Sequence, residues 1–258
     1  MTAPAPRHVL VTGAAGAIGG ALARAMRAAW PDARLALLDR PEALPQVQTL
    51  AVSLGKAAAH GVDLRDLAAL PALVAGLDGI DGLVNCAGIM RVMHLGSWSW
   101  SDAHDLLAID LLAPLRLQDL VVRDMVDRGR GFIVNVASMA GKVPLKGCAY
   151  YGAAKAGLAM ASEIARADLA PHGVRVVTVY PGPVKSALEQ GARDAYGGGG
   201  LVGKLVPTGD PDELARRIMG AIERDEPRVI YPRLYAMGWS ATNLSSWFTL
   251  SLGPQPVA

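Results

Sequence analysis

Tyr151 and Lys155 stand four residues apart in a segment, 149–169, whose pattern predicts a helix ended by Pro171 and Gly173. At that spacing the two side chains share one helix face. A free tyrosine ionises at about pH 10, too high for a base at neutrality, and a neighbouring cation favours the phenolate. The pair could therefore take a proton from a hydroxyl or, in reverse, give one to a carbonyl oxygen. Tyr150 is adjacent, but Ala154 lies four residues beyond it, so Tyr151 is the better candidate. An ordinary amphipathic helix also carries a Tyr and a Lys at this spacing, and Ser138 alone reads as a strand-end serine. The three gain meaning only beside a partner for the chemistry.

That partner is suggested by Thr12-Gly13-Ala14-Ala15-Gly16-Ala17-Ile18-Gly19, which follows an apolar strand-like run and opens a helical one. Glycines there let the backbone turn tightly and approach a pyrophosphate, and the helix start offers unpaired N–H groups with a partial positive charge. Asp39, 20 residues beyond Gly19 at the end of the second strand-like run, suits a carboxylate that accepts hydrogen bonds from an adenosine ribose and repels a ribose phosphate. Arg40 argues the other way, since an arginine can reach a 2′-phosphate.

The elements that would position these groups alternate along the whole chain. Strands are expected over 8–12, 34–39, 57–62, 82–85, 132–136, 174–179 and 229–231. Helices are expected over 20–30, weakly over 41–54, then over 64–77, 102–127 with a possible kink at Pro114, 149–169 and 211–223. Such alternation predicts an α/β fold: a doubly wound, mostly parallel, seven-stranded Rossmann-like sheet with helices on both faces. The 258 residues read as one domain with no linker or repeat. Within it, 184–206 has little regular pattern, contains Gly197-Gly198-Gly199-Gly200, and reads as a substrate flap.

Composition agrees. Hydrophobic residues make up 52% but aromatics only 5%, which suits helices packed closely on a parallel sheet. The formal net charge of +2 comes with no basic cluster, so nucleic acid is not an expected partner. Cys86 and Cys148 show neither metal-ligand spacing nor a disulfide framework, and no metal is expected. The start of the sequence lacks signal-peptide features and no run is long enough to span a membrane, so a cytoplasmic location is expected.

In order along the chain, these motifs resemble the single-domain branch of the short-chain dehydrogenase/reductase family, from about residue 9 to 232. The Gly-rich turn is followed by Asp63-Leu64, then by Asn85-Cys86-Ala87-Gly88, which resembles an Asn-x-Ala-Gly element. Ser138 comes next, then Tyr151-Gly-Ala-Ala-Lys155, matching Tyr-x-x-x-Lys, and Pro181-Gly182-Pro183-Val184-Lys185-Ser186, resembling Pro-Gly-x-Val-x-Thr. The resemblance implies a nicotinamide dinucleotide held by Gly13, Ala15, Gly16, Ile18, Gly19, Asp39, Arg40, Asp63, Leu64, Asn85, Ala87, Gly88, Tyr151, Lys155, Pro181, Gly182, Val184 and Ser186. It further implies that Tyr151 is the acid/base, that Ser138 orients the substrate oxygen, and that Lys155 holds the nicotinamide ribose and lowers the tyrosine's pKa together with the oxidised ring. NAD rather than NADP is expected, because of Asp39.

Two departures stand out. The branch usually has its middle glycine where Ala17 stands; the spacing here, Gly-x-x-Gly-x-x-Gly, is commoner in extended epimerases and dehydratases, which carry a longer C-terminal substrate domain. Where the family has an asparagine whose backbone carbonyl holds a water next to the lysine, this sequence has Asp110-Leu111. Asp110 joins Ser138, Tyr151 and Lys155 as a catalytic candidate, its carboxylate tending to raise the pKa of Lys155.

Around the expected substrate position stand Ile89, Met90, Met93, His94, Leu145, Leu188 and Tyr196, mostly apolar and without clustered arginine. The expected reaction moves a hydride between the dinucleotide and an uncharged, hydrophobic secondary alcohol or ketone. The competing reading is a cofactor-binding sensor or scaffold without turnover. Residues 233–258 form an apolar extension in which Leu244, Trp247, Phe248 and Leu252 fall at helical spacing; packing on the body or a neighbouring subunit is expected ahead of membrane contact. A homodimer or homotetramer is expected from the resemblance, and the small residues Ala153, Ala156 and Ala161 would permit close helix approach.

Overall fold

The computed structural model describes residues 4–197 and 207–256. Seven strands, β1 (His8–Thr12), β2 (Arg34–Asp39), β3 (Ala57–Gly61), β4 (Gly82–Asn85), β5 (Gly131–Val136), β6 (Val174–Pro181) and β7 (Arg228–Tyr231), form one sheet in the order β3-β2-β1-β4-β5-β6-β7. Every pairing is parallel. The central strands are buried on both faces, which is why β1 reads as a continuous apolar run rather than an alternation. Leu22 and Met26 of α1 (Ala17–Ala29), Val47 of α2 (Leu44–Leu54), and Leu214 and Ile218 of a helix at Pro211–Arg224 pack one face against Val9, Val11 and Val134. Leu70 of α3 (Leu70–Ala75), Leu117 and Met125 of a helix at Ala113–Asp127, and Leu169 of the helix Ala149–Leu169 pack the other face against Leu10, Leu83 and Ile133.

The chain leaves β1 outward through β2 and β3, then returns to pair β4 on the other side of β1. The crevice outside the carboxyl ends of β1 and β4 is the point where a doubly wound sheet takes a ligand. Thr12, Asn85, Val136 and Pro181 end their strands along this edge, so the Gly-rich turn, the Asn85–Gly88 segment, Ser138 and the Pro181 element all open on one side of the sheet.

Several elements depart from expectation. The helix expected over 64–77 is shortened to α3, because the Asp66 carboxylate accepts the N–H groups of Ala68 and Ala69 and holds the preceding residues in turns. The long helix expected over 102–127 is two helices, α4 (Trp100–Leu107) and α5 (Ala113–Asp127), joined by a π-type turn at Ala108–Leu112. Pro114 lies in the first turn of α5, directly after the π-type turn. After α6 (Ala149–Leu169), the flap expected to be irregular contains α7 (Ala187–Ala195), whose start is capped by Ser186 accepting the Glu189 N–H at 3.1 Å. Residues 198–206 of that flap lie outside the described residues. α8 (Pro211–Arg224) is capped by Asp210. The chain then forms α9 (Tyr235–Ser240) and α10 (Thr242–Leu252).

Candidate active site

Gly13 has a φ of 70°, and a Cβ there would lie 2.8 Å from the Ala87 backbone. Gly16 caps α1 without any side chain, and no acidic residue stands in the first turn. The first N–H groups of the helix are thus left for an anion. Gly19 packs the helix against the turn: a Cβ there would come 2.1 Å from the Gly13 carbonyl oxygen. Ala17, at the usual place of the middle glycine, is the first helical residue and leaves the helix start intact.

Asp39 closes the cradle from the second strand. Its carboxylate accepts the Ala15 N–H at 2.9 Å and the Arg40 N–H at 2.8 Å, while Arg40 itself is exposed. Thr12 Oγ1 accepts the N–H groups of Cys86 and Ala87, both at 3.1 Å, and so joins the turn to the segment after β4. Asp63 is gripped by Arg65, which holds its carboxyl below the ordinary carboxylate range, and Leu64 beside it is buried. The Asn85 side chain is buried and donates to Asn135 Oδ1 at 2.9 Å and to the Pro114 carbonyl at 3.3 Å, which leaves its backbone on the sheet edge.

Ser138, at the end of β5, Tyr151 and Lys155 come together as the sequence predicts. The Ser138 hydroxyl faces the Tyr151 phenol and accepts the Ala140 N–H at 3.1 Å. Lys155 Nζ lies 5.8 Å from the Tyr151 ring centroid and donates to the Val136 carbonyl at 3.2 Å. Gly141 brings these elements together, since a Cβ there would lie 2.6 Å from the Lys155 backbone. Tyr150 turns instead to Trp98, ring centroids 5.1 Å apart.

Asp110, on the inner side of the π-type turn, is fully buried. Its Oδ2 lies 3.3 Å from Lys155 Nζ, and its Oδ1 accepts the Ile89 N–H at 2.8 Å. Burial pushes the Asp110 carboxyl up, and Lys155 and the Ile89 N–H pull against it. Burial would push Lys155 down, but Asp110, Tyr151 and Cys86 hold it above its ordinary value. Tyr151 differs from expectation. Burial raises its phenol, Lys155 lowers it, Asp110 raises it, Ser138 lowers it, and Cys148 raises it again; the result lies above the ordinary tyrosine value rather than below. Burial outweighs the lysine's influence, and the carboxylate beside the lysine adds to the rise. Among the described residues no group of three or more His, Cys, Asp or Glu side chains is placed to hold a metal ion.

A family model described as short chain dehydrogenase matches residues 7–197. The chain belongs to the short-chain dehydrogenase/reductase family. D-threitol dehydrogenase of Mycolicibacterium smegmatis is 37% identical over 217 residues, covering 80% of this chain and 82% of that one. The 3-hydroxyacyl-CoA dehydrogenase type-2 of Bos taurus is 33% identical over 240 residues, covering 83% and 88%. A solved short-chain dehydrogenase from Sphingobium yanoikuyae, in complex with NADPH, superposes with a TM-score of 0.77 at 27% identity and covers 98% of each chain. This short-chain dehydrogenase/reductase is accordingly an oxidoreductase of a family that binds NAD or NADP, and the NADPH in that neighbour removes the ground for ranking NADP second.

Beside the same sheet edge, the short-chain dehydrogenase/reductase packs Ile89, Met90, Val92, Trp98, Cys148 and Tyr196 in one apolar cluster with Tyr151. Tyr196, at the end of α7, donates its hydroxyl to the Lys146 carbonyl at 2.6 Å, while Cys148 Sγ lies 3.3 Å away, so the described part of the flap is fastened to the loop before Tyr151. Leu145 and Leu188 are partly exposed at the rim, and His94 is an exposed loop residue. Arg193 is tied to Glu189 and Thr208, so it does not present a bare charge to a substrate. The C-terminal extension lies behind the same loop. Thr249 donates to the Pro144 carbonyl at 2.7 Å, Lys146 to the Gly253 carbonyl at 3.2 Å, and Pro256 is buried against Gly147. Leu244, Trp247 and Leu250 stay exposed, and no described helix is long and apolar enough to cross a membrane.

The sequence reading passed over a buried polar chain beneath the site. Asn85, Asn135 and Thr178 stand side by side in register across β4, β5 and β6. Asn135 donates to Ser162 Oγ at 3.0 Å and Gln118 Oε1 at 3.2 Å, and Thr178 donates to Ser162 Oγ at 2.7 Å. The signal was present, since each is a polar residue inside an apolar strand run, where a side chain needs a partner.

Proposed function

We propose that the protein interconverts an uncharged, hydrophobic secondary alcohol and its ketone, with Tyr151 as the proton donor and acceptor. The observation that carries this reading is the meeting of Ser138, Tyr151 and Lys155 at the sheet edge beside a helix start left open for an anion. The cradle fits a dinucleotide, because Gly13 and Gly19 have no room for a side chain and Gly16 brings none of its own to the helix. Gly13, Ala15, Gly16, Ile18 and Gly19 would hold its pyrophosphate, Asp39, Arg40, Asp63 and Leu64 its adenosine end, and Ala87, Gly88, Pro181, Gly182, Val184 and Ser186 the nicotinamide end. Asn85 would contribute through its backbone. A nicotinamide dinucleotide bound there supplies or takes up the hydride. Ser138 orients the substrate oxygen, Lys155 holds the ribose, and Tyr151 exchanges the proton with that oxygen.

The apolar residues around Tyr151 favour a substrate without charge, and residues 184–206 are read as its cover. The exposed Met160 and Ile164 on α6, in line with Ala153, supply a face for a second copy of the chain in a homo-oligomer. The test is turnover of the purified protein on a panel of secondary alcohols and ketones. Consumption of apolar members is expected; turnover confined to small anionic substrates, or none at all by protein that binds the dinucleotide, overturns the reading in favour of another substrate class or of a sensor.

For the choice of dinucleotide, Asp39 is the deciding residue. Its carboxylate is fixed on the Ala15 N–H, where a ribose hydroxyl can donate to it and a 2′-phosphate would meet a like charge. Asp39→Ser should move the affinity ratio toward NADPH by about tenfold, the equivalent of ~1.4 kcal/mol. Parallel fluorescence titrations measure this, and an unchanged ratio would show that Asp39 does not select.

A further inference from the structure

The charge arrangement at Lys155 is not needed simply to hold the lysine in place, because the Val136 carbonyl already accepts from its ammonium. Nor is a carboxylate needed to hold the Ile89 N–H, which an amide oxygen would accept equally well. What only a carboxylate provides is a negative charge. It stands 3.3 Å from the ammonium, with the lysine side chain 5% exposed and the aspartate not exposed at all. Gly88 makes room for the meeting: a Cβ there would lie 3.1 Å from Lys155 Nζ and 3.3 Å from Asp110 Oδ2. The π-type turn at Ala108–Leu112 brings Asp110 to this position between α4 and α5.

We propose that Asp110 is the internal counter-ion of Lys155 and that, by neutralising it, Asp110 adds to burial in keeping Tyr151 as the phenol, so that through the neutral range the resting site already holds the proton that reduction uses and must lose it before an alcohol is oxidised. This rests on the reading of Tyr151 as the acid/base. Two opposite charges side by side, out of water, largely cancel at a third site, whereas a lone buried ammonium would act on the phenol at full strength. The pair titrates as a unit, since removing one charge strands the other. Whether it is ionic or has passed its proton across, it carries no net charge. The other titratable groups facing the three residues are Cys86 beside Lys155 and Cys148 beside Tyr151, with the Ser138 hydroxyl on the phenol. Burial pushes the Cys86 thiol up to about 12 and raises Cys148 as well, so neither supplies a charge at neutral pH. In reduction, the Tyr151 proton passes to the carbonyl oxygen as the carbonyl carbon takes up the hydride carried by the dinucleotide. The phenolate left behind regains its proton from solvent.

The sign follows. A phenol held above its ordinary value stays an acid through the neutral range and loses that role only as pH rises past it. Alcohol oxidation, which needs the phenolate, gains with pH until the same point. Asp110→Asn keeps the shape and an acceptor for Ile89 but removes the charge. The first readout is ultraviolet titration of tyrosinate in the protein without dinucleotide, with Tyr151→Phe subtracted in each background. The Tyr151 midpoint should lie above the ~10 of free tyrosine in the wild type and at least about one pH unit lower in Asp110→Asn. The second is the pH profile of kcat/KM, in which the apparent pKa for alcohol oxidation should fall in Asp110→Asn by about the same displacement, one unit or more. Equal midpoints in the two proteins, or a wild-type midpoint at or below that of free tyrosine, overturn the proposal. If Asp110→Asn does not fold, Asp110→Ala takes its place in both readouts, since burial alone would also raise the wild-type midpoint. Because the tyrosinate titration needs no turnover, a displaced midpoint without activity would count against the proposed reaction and not against the counter-ion.

Discussion

Tyr151→Phe should abolish turnover in both directions, by on the order of 1,000-fold in kcat, while leaving dinucleotide affinity within about threefold. The side chain is buried in an apolar cluster with Val92, Leu106, Ala140 and Ala154, and phenylalanine fills the same volume there. Only the hydroxyl is lost, and with it the group that faces Ser138. Removing a buried hydroxyl need not destabilise the protein, because the phenol costs something to bury and the serine retains the Ala140 N–H. A loss of kcat without a loss of thermal stability therefore reports chemistry. Tyr150→Phe is the matched control: its ring packs on Trp98 and Trp100, away from Lys155, and turnover should change by no more than about threefold. Steady-state kinetics on a substrate found by the panel, with fluorescence titration for binding, measures both. Tyr151→Phe activity near that of the wild type would remove the tyrosine from the mechanism and with it the argument from Asp110.

Much of this site is legible in the sequence because its parts sit at the ends of regular elements. The burial of both sheet faces leaves apolar runs such as residues 9–11, and the Gly-rich turn follows directly from the first of them. Tyr151 and Lys155 share a face because a helix dictates it, and the structure keeps that face inward. The missing parts depend on contacts between distant segments. The π-type turn that delivers Asp110 is announced only by Pro114 just after it, and the sequence does not say which residue such a turn carries inward. α7 was hidden by a short, mostly polar sequence whose helicity depends on the Ser186 cap and on packing of Ala192 and Ala195 beside Tyr151. The direction of the Tyr151 pKa was misjudged for a similar reason. The spacing of Tyr151 and Lys155 shows a cation near a phenol, but not how deeply both are buried or that a third residue, 41 positions before Tyr151 in sequence, answers the cation. Electrostatics in a closed site is set by all of its members, and a motif names only some of them.

The Gly-rich turn permits a sharper test than cofactor binding alone, because adjacent glycines in α1 have unequal surroundings. A Cβ on Gly19 would lie 2.1 Å from the Gly13 carbonyl oxygen and 2.8 Å from its carbon, both backbone atoms that cannot rotate away. A Cβ on Gly20 would lie 3.3 Å from the Ala14 carbonyl oxygen, a tight contact in which the turn must give by a few tenths of an ångström, and 3.5 Å from the end of the Arg24 side chain, an ordinary one. Gly19→Ala must therefore separate the helix start from the turn, and overpacking of this kind costs about 1–3 kcal/mol. That displacement falls on the N–H groups and the Gly13 backbone that would hold the pyrophosphate, so dinucleotide affinity should fall about 10- to 100-fold, with some loss of thermal stability. Gly20→Ala, whose methyl asks the turn to give only a few tenths of an ångström, should bind within about threefold of the wild type, the roughly 0.5–1 kcal/mol helix advantage of alanine offsetting the crowding. The difference between two one-methyl substitutions at neighbouring positions isolates the packing of helix on turn from any general effect on α1. Equal affinities for the two variants would mean that the dinucleotide does not rest on this helix start, and that Ala17, in the place of the usual glycine, belongs to a cradle used in some other way.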